Sequence, residues 1–313
     1  MYELFGKNIL ITGGTGQLGT FLVESLINNH ANVIVLGRNK NRLKEIKSFN
    51  ETKKIRFINC DLIDAQKIES ISPIIKNTNY IIHLSSELST LYTTMLDNAH
   101  YSMALNLKGI IRLLRHLPKL DGILYSSSIA VYGKPAYIPV DEDCPTNPIS
   151  IYGCSKLGGE FFLKLFSNFN SLPLTILRYA TIYGPRNRSN QAIPSFINSV
   201  LNDKDIELFG DGKEFRDFIY VSDAVTAALS AIKKNESVIY NIGSGDKCTI
   251  YELAKNIIEI TNSKSKIIFT KKPKGYGIVC NISNAQRKLC FNPKVNLKEG
   301  LVNEIEWHRK KIE

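Results

Sequence analysis

The stretch that decides the fold is Lys7-Asn-Ile-Leu-Ile-Thr-Gly-Gly-Thr-Gly-Gln-Leu-Gly19. Its first part, Asn8–Thr12, is apolar and predicts a buried strand, and the apolar periodicity of Phe21–Ile27 predicts a helix after the glycines. Strand, glycine-rich turn and helix in this order predict a dinucleotide site, because glycines let the backbone approach a pyrophosphate and the helix N-terminus offers free N–H groups. The glycines recur at every third position, a spacing that alone also fits a tight turn with close helix packing.

Outward from this stretch, short apolar runs alternate with segments of helical length and periodicity. The runs predicted as strands are Asn8–Thr12, Val33–Leu36, Ile55–Asn59, Tyr80–Leu84, Ile123–Ser126 and Thr175–Leu177. This alternation predicts an α/β fold with a doubly wound parallel sheet, the Rossmann arrangement. After residue 181 the pattern loosens into a helix near Pro194–Leu201, a strand ending at Tyr220, a helix over Ser222–Lys233 and, from Thr249, a helix with short strands.

The looser part of the chain predicts a smaller, discontinuous C-terminal substrate lobe. We expect residues 1–180 with 217–246 to form the dinucleotide-binding domain, and residues 181–216 with 247–313 to form the lobe. The chain has 313 residues, 43% of them hydrophobic, which is enough to bury the core of such a pair.

A second pattern carries the chemistry. Tyr152 and Lys156 are spaced i and i+4, which on a helix places phenol and ammonium on one face, and the run Ser126-Ser127-Ser128 ends an apolar strand before them. A fixed positive charge lowers the pKa of a neighbouring phenol from its ordinary value of about 10, so we expect Lys156 to make Tyr152 a proton acceptor. With Ser128 bonded to the same substrate oxygen, the three groups take a proton from an alcohol while a hydride leaves its carbon.

The same Tyr-x-x-x-Lys spacing occurs once more, at Tyr251 and Lys255. That pair lies in a helix-like stretch, Tyr251–Ile260, without a serine-rich strand end before it and without a glycine loop to bring a cofactor near. We therefore interpret the second match as structural.

The chain resembles the extended short-chain dehydrogenase/reductases, the group that modifies nucleotide-linked sugars, from about Asn8 to about Pro293. Besides the glycine loop and the Ser-Tyr-Lys set, the resemblance rests on Cys60-Asp61-Leu62, His83–Ser86, Asn106 with Gly109, Val131–Gly133, Leu177–Tyr179, Ile182–Arg186, Gly210–Gly212, Arg216–Val221 and Tyr240–Gly245. So many matches in one order are specific for the family and far less specific for the substrate.

The resemblance implies a nicotinamide cofactor, NAD or NADP, and a nucleoside-diphosphate sugar, and it implies no metal. The cofactor residues it implies are Gly13, Thr15, Gly16, Gln17, Leu18, Gly19, Arg38, Asp61, Leu62, Leu84, Ser85, Ser86, Asn106, Ser126, Tyr152, Lys156 and Tyr179. The substrate residues are Ser127, Ser128, Thr181, Arg186, Arg216 and Lys274. Arg216 is the first choice for the substrate diphosphate and Arg186 the second; for either, a surface salt bridge is the alternative.

The end of the second predicted strand bears on the choice of cofactor. Many family members place an Asp there to accept the ribose hydroxyls, whereas this chain has Leu36-Gly37-Arg38-Asn39 and no acid until Glu45. Without that carboxylate a 2′-phosphate is not repelled, and Arg38 pairs with it, so the residues lean towards NADP. The alternative is that Arg38 only stacks over the adenine and that the cofactor is tightly bound NAD.

Missing residues narrow the reaction. The dehydratases of the family carry an acidic residue after the catalytic hydroxyl, and the combined epimerase-reductases need an extra proton donor there, often Cys. Here those positions are Ile129 and Ala130, which offer neither. What remains is hydride chemistry at one alcohol carbon, most often C4 of the sugar.

Two departures separate the chain from the usual 4-epimerase of the family. Thr181 stands where those enzymes have Asn, and Lys272–Gly277 replaces an Arg-x-Gly-Asp phosphate motif, with Lys274 as a weaker contact. These departures favour a 4-dehydrogenase or 4-ketoreductase, with a 4-epimerase as the alternative. A non-catalytic dinucleotide-binding sensor or scaffold is a third possibility, but such proteins usually lack the Tyr or the Lys, and both are present.

Composition agrees with a cytoplasmic enzyme. The formal net charge of +11 permits nucleic-acid binding, but the basic stretch Lys264–Lys274 lacks interleaved aromatic residues, so we expect a solvated basic face that attracts diphosphates. The six Cys lack metal-ligand or disulfide spacing, which predicts reduced thiols. Neither a signal peptide nor a long apolar span is visible, so we expect no membrane association.

The resemblance also implies a homodimer that pairs through two long helices. Thr93–Leu117 and Tyr152–Phe169 are the candidate helices, and Leu105, Leu113, Phe161 and Leu165 are the candidate apolar contacts. Packing of the same residues against the sheet is the competing explanation.

Overall fold

The computed structural model describes residues 4–46, 54–87, 95–187, 191–271 and 275–312. Its strands are β1 Asn8–Thr12, β2 Asn32–Gly37, β3 Ile55–Asn59, β4 Tyr80–His83, β5 Gly122–Ser128, β6 Leu174–Tyr179, β7 Thr181–Tyr183, β8 Ile206–Phe209, β9 Phe215–Arg216, β10 Phe218–Tyr220, β11 Val238–Ile242, β12 Cys248–Thr249 and β13 Ile267–Thr270. Its α-helices are α1 Gln17–Asn28, α2 Ala65–Ile75, α3 Met95–Met103, α4 Gly109–Leu114, α5 Ile151–Asn170, α6 Ala192–Leu201, α7 Val221–Lys234, α8 Ile250–Thr261, α9 Ser283–Leu289 and α10 Leu297–Ile312.

Seven strands form one parallel sheet in the order β11-β6-β5-β4-β1-β2-β3. The direction of strand order reverses between β1 and β4, so the carboxyl ends of these two strands frame a crevice where ligands bind in such sheets. The predicted α/β, doubly wound sheet is confirmed, and all six predicted strands are present with ends shifted by two residues at most.

The sheet is buried on both faces, as a parallel sheet requires. Ile9, Leu10 and Ile11 of β1 are fully buried although successive side chains point to opposite faces. Helices α1 and α7 cover one face, and α2, α4 and α5 cover the other, which produces two apolar cores. The sheet thus forms a rigid platform with its carboxyl edge open for a site.

The smaller part of the molecule has an apolar core of its own, formed by α6, α8, α10 and short strand pairs around Tyr183 and Phe218. Sequence reasoning predicted one helix after Thr249, but the structure has three, α8, α9 and α10. Residues 278–291, which include α9, pack with the core that contains α1 and α7. The division into two domains at the predicted boundaries stays a prediction.

The two candidate pairing helices are present in altered form. The predicted helix Tyr152–Phe169 is α5, and the other runs from Met95 to Leu114 as α3, a π-helical turn and α4. Thr93 and Thr94 lie outside the described residues. Among the helices that the structure describes, none has both the length and the apolar character to cross a bilayer.

Candidate active site

The glycine loop lies at the carboxyl end of β1, where it packs against the end of β4. Gly13 has a φ of +70°, and a Cβ built on it would lie 2.7 Å from the backbone nitrogen of Ser85. A Cβ on Gly19 would lie 2.3 Å from the carbonyl oxygen of Gly13. Only glycine fits at these two positions: at Gly13 because of the left-handed backbone and the close approach, and at Gly19 because of the close approach alone.

The loop borders a cavity of about 170 Å³. Its lining includes nine of the predicted cofactor residues, which are Gly13, Thr15, Gly16, Arg38, Asp61, Leu62, Leu84, Ser85 and Ser86. Among the described residues, no side chain caps the N-terminus of α1, so its first N–H groups remain for an anionic ligand. Bare glycine backbone beside an uncapped helix N-terminus fits the pyrophosphate of a dinucleotide.

Four predicted cofactor residues line neither this cavity nor the larger one beside it: Leu18, Gly19, Asn106 and Lys156. Leu18 packs partly buried against the core, and Gly19 is buried inside α1. Asn106 is buried in the π-helical turn, where its Oδ1 accepts from the backbone N–H of Glu87 at 3.2 Å and its Nδ2 donates to Ser155 Oγ at 2.8 Å. These residues shape the site without facing it.

Arg38 follows β2 at the rim of the smaller cavity and is more than half exposed. Its guanidinium donates to the Tyr101 hydroxyl at 2.9 Å and lies 3.9 Å from Asp61 and 3.7 Å from Glu87. Two carboxylates therefore face one cation. Arg42, which sequence reasoning missed, lines both this cavity and the larger one beside it.

The larger cavity, of about 500 Å³, brings the proposed catalytic hydroxyls to one place. Predicted residues in its lining are Gln17, Ser126, Ser127, Ser128, Tyr152, Tyr179, Thr181, Arg186 and Arg216. Ile129 and Ala130 line it next to Ser128, so the wall beside the hydroxyls lacks an acid at both positions. Substrate-sized space, a phenol and a serine hydroxyl meet at the carboxyl edge of the sheet.

The Tyr152 phenol lies near the hydroxyls of Ser128 and Ser86. Desolvation raises its pKa above the ordinary value, and the two serine hydroxyls oppose that rise because they stabilise the phenolate. Sequence reasoning expected the opposite direction, a pKa lowered by Lys156. The Lys156 ammonium lies 5.9 Å from the centre of the Tyr152 ring, and burial sets the direction of the shift in the Tyr152 pKa.

Lys156 is buried and lines neither cavity. Its Nζ donates to the carbonyl oxygen of Ser126 at 2.7 Å and lies 5.2 Å from the centre of the Tyr125 ring. Burial lowers the pKa of Lys156 to about 7, and the negative charge of Glu160 partly offsets this effect. At neutral pH Lys156 is therefore close to losing its proton.

A buried ion pair lies behind the serine run, and sequence reasoning missed it. Arg178 Nη2 is 2.7 Å from Glu160 Oε2, and both side chains are almost fully buried. Ser127 Oγ donates to Glu160 Oε1 at 2.5 Å, so its hydroxyl is held by this pair although the residue lines the larger cavity. Glu160 lies four residues after Lys156 on α5, and this spacing is the one local signal that points to it.

The guanidinium of Arg186 is held by acidic groups of the glycine-loop side. It donates to the carbonyl oxygen of Glu45 at 2.8 Å, lies 3.4 Å from the carboxylate of Glu24 and stacks 4.2 Å from the ring of Phe21. This geometry matches the salt-bridge alternative for Arg186 rather than a free phosphate ligand. The side chain is only 12% exposed and its partners Glu24 and Glu45 are partly exposed, so the bridge is half-buried.

Arg216 faces the larger cavity and a neighbouring one of about 230 Å³. Its Nη2 lies 3.2 Å from Glu214 Oε1, and its Nη1 donates to the carbonyl oxygens of Phe215, at 3.1 Å, and Tyr276. Glu214 also accepts from the backbone N–H of Gly275. Arg216 thus lies where a ligand for the substrate diphosphate is expected, but its guanidinium is already paired with Glu214. Lys274 lies outside the described residues.

The second Tyr-x-x-x-Lys match lines none of these cavities. Tyr251 is exposed and stacks on Phe269 with 6.1 Å between ring centres. Lys255 lies 3.8 Å from Glu259 one turn along α8. These contacts agree with the structural interpretation.

Comparison with known proteins gives one family. Residues 9–243 match the model of the NAD dependent epimerase/dehydratase family. The chain is 35% identical to a Methanocaldococcus jannaschii protein named "Putative UDP-glucose 4-epimerase", over 96% of this chain and 97% of the relative.

Solved structures show the same similarity. UDP-glucose 4-epimerase of Thermotoga maritima with UDP-glucose superposes with a TM-score of 0.87 at 31% identity, covering 98% of this chain and 100% of that one. UDP-glucuronic acid 4-epimerase of Bacillus cereus with UDP-glucuronic acid and NAD has a TM-score of 0.87 at 27% identity, covering 97% and 99%.

Proposed function

Because the chain belongs to the NAD dependent epimerase/dehydratase family, we propose that this enzyme inverts C4 of a UDP-sugar by removing and returning a hydride. One observation supports the reaction type most strongly. Ser128 and Tyr152 share a cavity at the carboxyl edge of the sheet, beside the glycine loop and the uncapped N-terminus of α1. The apolar pair Ile129 and Ala130 beside them argues against loss of water from the sugar, since elimination needs an acid or base there.

In this proposal each residue acts on the sugar hydroxyl at C4. Tyr152 accepts the proton of that hydroxyl and later returns it, and Ser128 donates a hydrogen bond to the same oxygen. Lys156 stabilises the phenolate form of Tyr152 when it carries its proton. A nicotinamide dinucleotide bound along the glycine loop supplies the hydride acceptor, and Gly13, Gly16, Asp61 and Ser85 are the residues that hold it.

We place epimerisation ahead of one-way oxidation or reduction at C4, the reading that the residues alone favoured. Of two relatives above 30% identity, one is named UDP-glucose 4-epimerase and the other "Putative UDP-glucose 4-epimerase", and both reactions begin with the same hydride step. The one-way reaction remains the second candidate, because Thr181 lines the cavity where the family's 4-epimerases have Asn.

The structure favours NAD over the NADP to which the sequence leaned. Asp61 and Glu87 lie within 4 Å of the Arg38 guanidinium, so a 2′-phosphate there would meet two carboxylates around one cation. The Bacillus cereus relative was solved with NAD. We expect NAD to bind at least tenfold more tightly than NADP, a difference of about 1.4 kcal/mol, measured by calorimetric titration of cofactor-stripped protein.

A homodimer through α5 forms part of the proposal. Three large apolar side chains of this helix are exposed, Phe161, Leu165 and Phe169. Such a stripe can pack against the same stripe of a second copy of the chain. The predicted contacts Leu105 and Leu113 are wrong, because both are buried against the sheet. Light scattering is expected to give twice the chain mass for the native protein and one chain mass for Leu165→Glu. The domain boundaries and a cytoplasmic location also remain predictions.

The test of the function uses purified protein with UDP-, GDP-, dTDP- and CDP-hexoses. Epimerisation is expected to produce the C4 epimer of a UDP-hexose without net use of added cofactor. One-way oxidation would instead release one reduced nicotinamide per sugar, seen by absorbance. A protein that binds cofactor but gives neither product across the panel would contradict the proposal.

A further inference from the structure

The turn after β7 forms a wall of the larger cavity. Arg186 and Asn187 line that cavity, and Asn187 also lines the neighbouring one. The backbone of the turn is unusual, with φ values of +124° at Gly184 and +66° at Arg186. A left-handed conformation at a non-glycine residue costs on the order of 1 kcal/mol, so contacts around the turn must hold it in place.

One set of contacts comes from the glycine-loop side. Gln17, the first residue of α1, donates its Nε2 to the carbonyl oxygen of Gly184 at 2.7 Å. The ion pairs of Arg186 with Glu24 and Glu45 act on the same side. The turn therefore connects the proposed cofactor loop with the substrate cavity.

The opposing contact comes from α10. Glu304 Oε2 accepts from the backbone N–H of Gly184 at 2.6 Å, and the side chain of Asn187 also interacts with this carboxyl group. Both polar groups of Gly184 are thus held, its N–H by Glu304 and its carbonyl by Gln17. Glu304, 120 positions away, and Gln17, 167 positions away, therefore fix the two peptide units that flank the Cα of Gly184.

The surroundings of Glu304 would suit an apolar side chain better. The residue is fully buried, and Leu301 and Ile305 of the same helix are buried beside it. Burial of a carboxyl group in such a place costs free energy unless hydrogen bonds compensate for its lost hydration. The structure shows such hydrogen bonds with Gly184 and Asn187.

The titratable groups around Glu304 do not neutralise it. His308 Nε2 lies 3.9 Å from Oε1, and burial together with Lys311 lowers the pKa of His308, which favours the neutral ring. Tyr183 of β7 and Tyr220 of β10 face the same space, and burial raises the pKa of both phenols. Burial raises the pKa of Glu304 to about 8.

We infer that Glu304 is a positioning residue, which sets the Gly184 peptide and Asn187 and thereby shapes the cavity wall that meets the nucleotide sugar. Its role goes beyond the proposed function and rests on it only for the identity of the ligand. Loss of the carboxyl group is expected to weaken ligand binding while the hydride step itself, carried by residues on β5 and α5, changes little.

The experiment compares Glu304→Asp, Glu304→Leu and Glu304→Gln, with Glu306→Gln as the control because Glu306 is exposed on the same helix. Binding of UDP and of NAD is measured by calorimetry, and KM and kcat are measured with UDP-glucose. Asp and Leu are expected to raise the Kd of UDP and the KM about tenfold, the effect of losing about one buried hydrogen bond, with kcat within threefold. Gln keeps the acceptor and is expected to restore both values.

The outcomes separate the two proposals. If the native protein binds neither UDP nor NAD, the proposed function fails. If the native protein binds them and folded Glu304→Asp or Glu304→Leu binds them equally well, the inference about Glu304 is overturned. Glu304→Asp keeps the test decisive if Glu304→Leu does not fold, since it only shortens the side chain.

A pH series gives a readout that a merely bulky side chain would not produce. With a folded pKa of about 8 against an ordinary 4.5, native Glu304 retains a proton that the unfolded chain has lost between these values. Unfolding free energy of the native protein should therefore fall as pH rises from about 4.5 to 8, relative to Glu304→Gln, and run parallel to it above that range. Parallel curves throughout would contradict a carboxyl group held in this environment.

Discussion

The two sides of the cavity present their functional groups in different states. On the glycine-loop side the groups that would meet a pyrophosphate are backbone N–H groups and neutral hydroxyls at strand ends, such as Gly16 and Ser85, and the ion-paired Arg38 lies at the rim. On the substrate side the cations Arg186 and Arg216 already lie against Glu24 and Glu214. The difference teaches that the cofactor side is ready to bind as it stands, whereas the substrate side must exchange one ionic partner for another.

The largest effect tests the Tyr152 hydroxyl, which α5 holds in the larger cavity. Tyr152→Phe removes the proposed proton acceptor, and kcat is expected to fall about a thousandfold, within the range for general acid–base groups. The Kd for NAD, measured by calorimetry, is expected to stay unchanged. Tyr251→Phe is the matched control, since it removes the same hydroxyl from the other Tyr-x-x-x-Lys pair; full activity of Tyr152→Phe would contradict the assignment.

The next effect separates the two arginines of the substrate side. Arg216→Leu is expected to raise the KM for the nucleotide sugar about thirtyfold, the effect of about 2 kcal/mol from a hydrogen bond to a charged group. Arg186→Leu is expected to lower the melting temperature more than Arg216→Leu, because Arg186 is less exposed than Arg216 and makes two ion pairs and a stack on Phe21. The reverse pattern in steady-state kinetics and thermal unfolding would exchange the two roles.

A third prediction concerns Lys156 and stability. Its pKa is lowered from the ordinary 10.5 to about 7, so the unfolded chain binds the proton more strongly between these values and stability rises with pH from 7 to 10.5. Lys156→Met removes the buried charge and is expected to stabilise the cofactor-free protein by on the order of 2 kcal/mol at pH 6, and by less at pH 10, while abolishing turnover. Urea unfolding at both pH values measures this; equal differences at the two would refute it.

The smallest effect has an unusual sign. Glu214→Gln keeps a hydrogen-bond acceptor for Gly275 but removes the carboxylate that pairs with Arg216. Since a substrate diphosphate must displace that charge, the variant is expected to lower the KM for the nucleotide sugar about threefold, or about 0.7 kcal/mol. Glu207→Gln, an exposed carboxylate on β8, is the control. A raised KM would mean that Glu214 supports binding instead.

The glycine loop and the Ser-Tyr-Lys set were largely predictable from sequence because their signals are local. The glycine spacing, the strand runs and the Tyr152–Lys156 pair each occupy one short segment, and the sheet brings them together. The same locality explains the main error there: the i, i+4 spacing does not reveal how deeply Lys156 is buried, and burial decides the direction of both pKa shifts.

The substrate side was less predictable, because its contacts join distant segments. Arg186 meets Glu24 across 162 residues, and Gly184 meets Glu304 across 120. Helix α10 was missed although Leu297, Leu301 and Ile305 recur at helical spacing, and the core of the smaller part shows that Leu301 and Ile305 pack. No single segment carries a signal for such pairs.

The central claim is that Tyr152 accepts the proton of the C4 hydroxyl while a hydride leaves C4 of the sugar. The most direct measurement follows deuterium placed at C4 of UDP-glucose during turnover in ordinary water. The account predicts slower turnover with the label kept on the sugar product or on the cofactor. Release of the label into water, or turnover by a route that leaves C4 untouched, would contradict it.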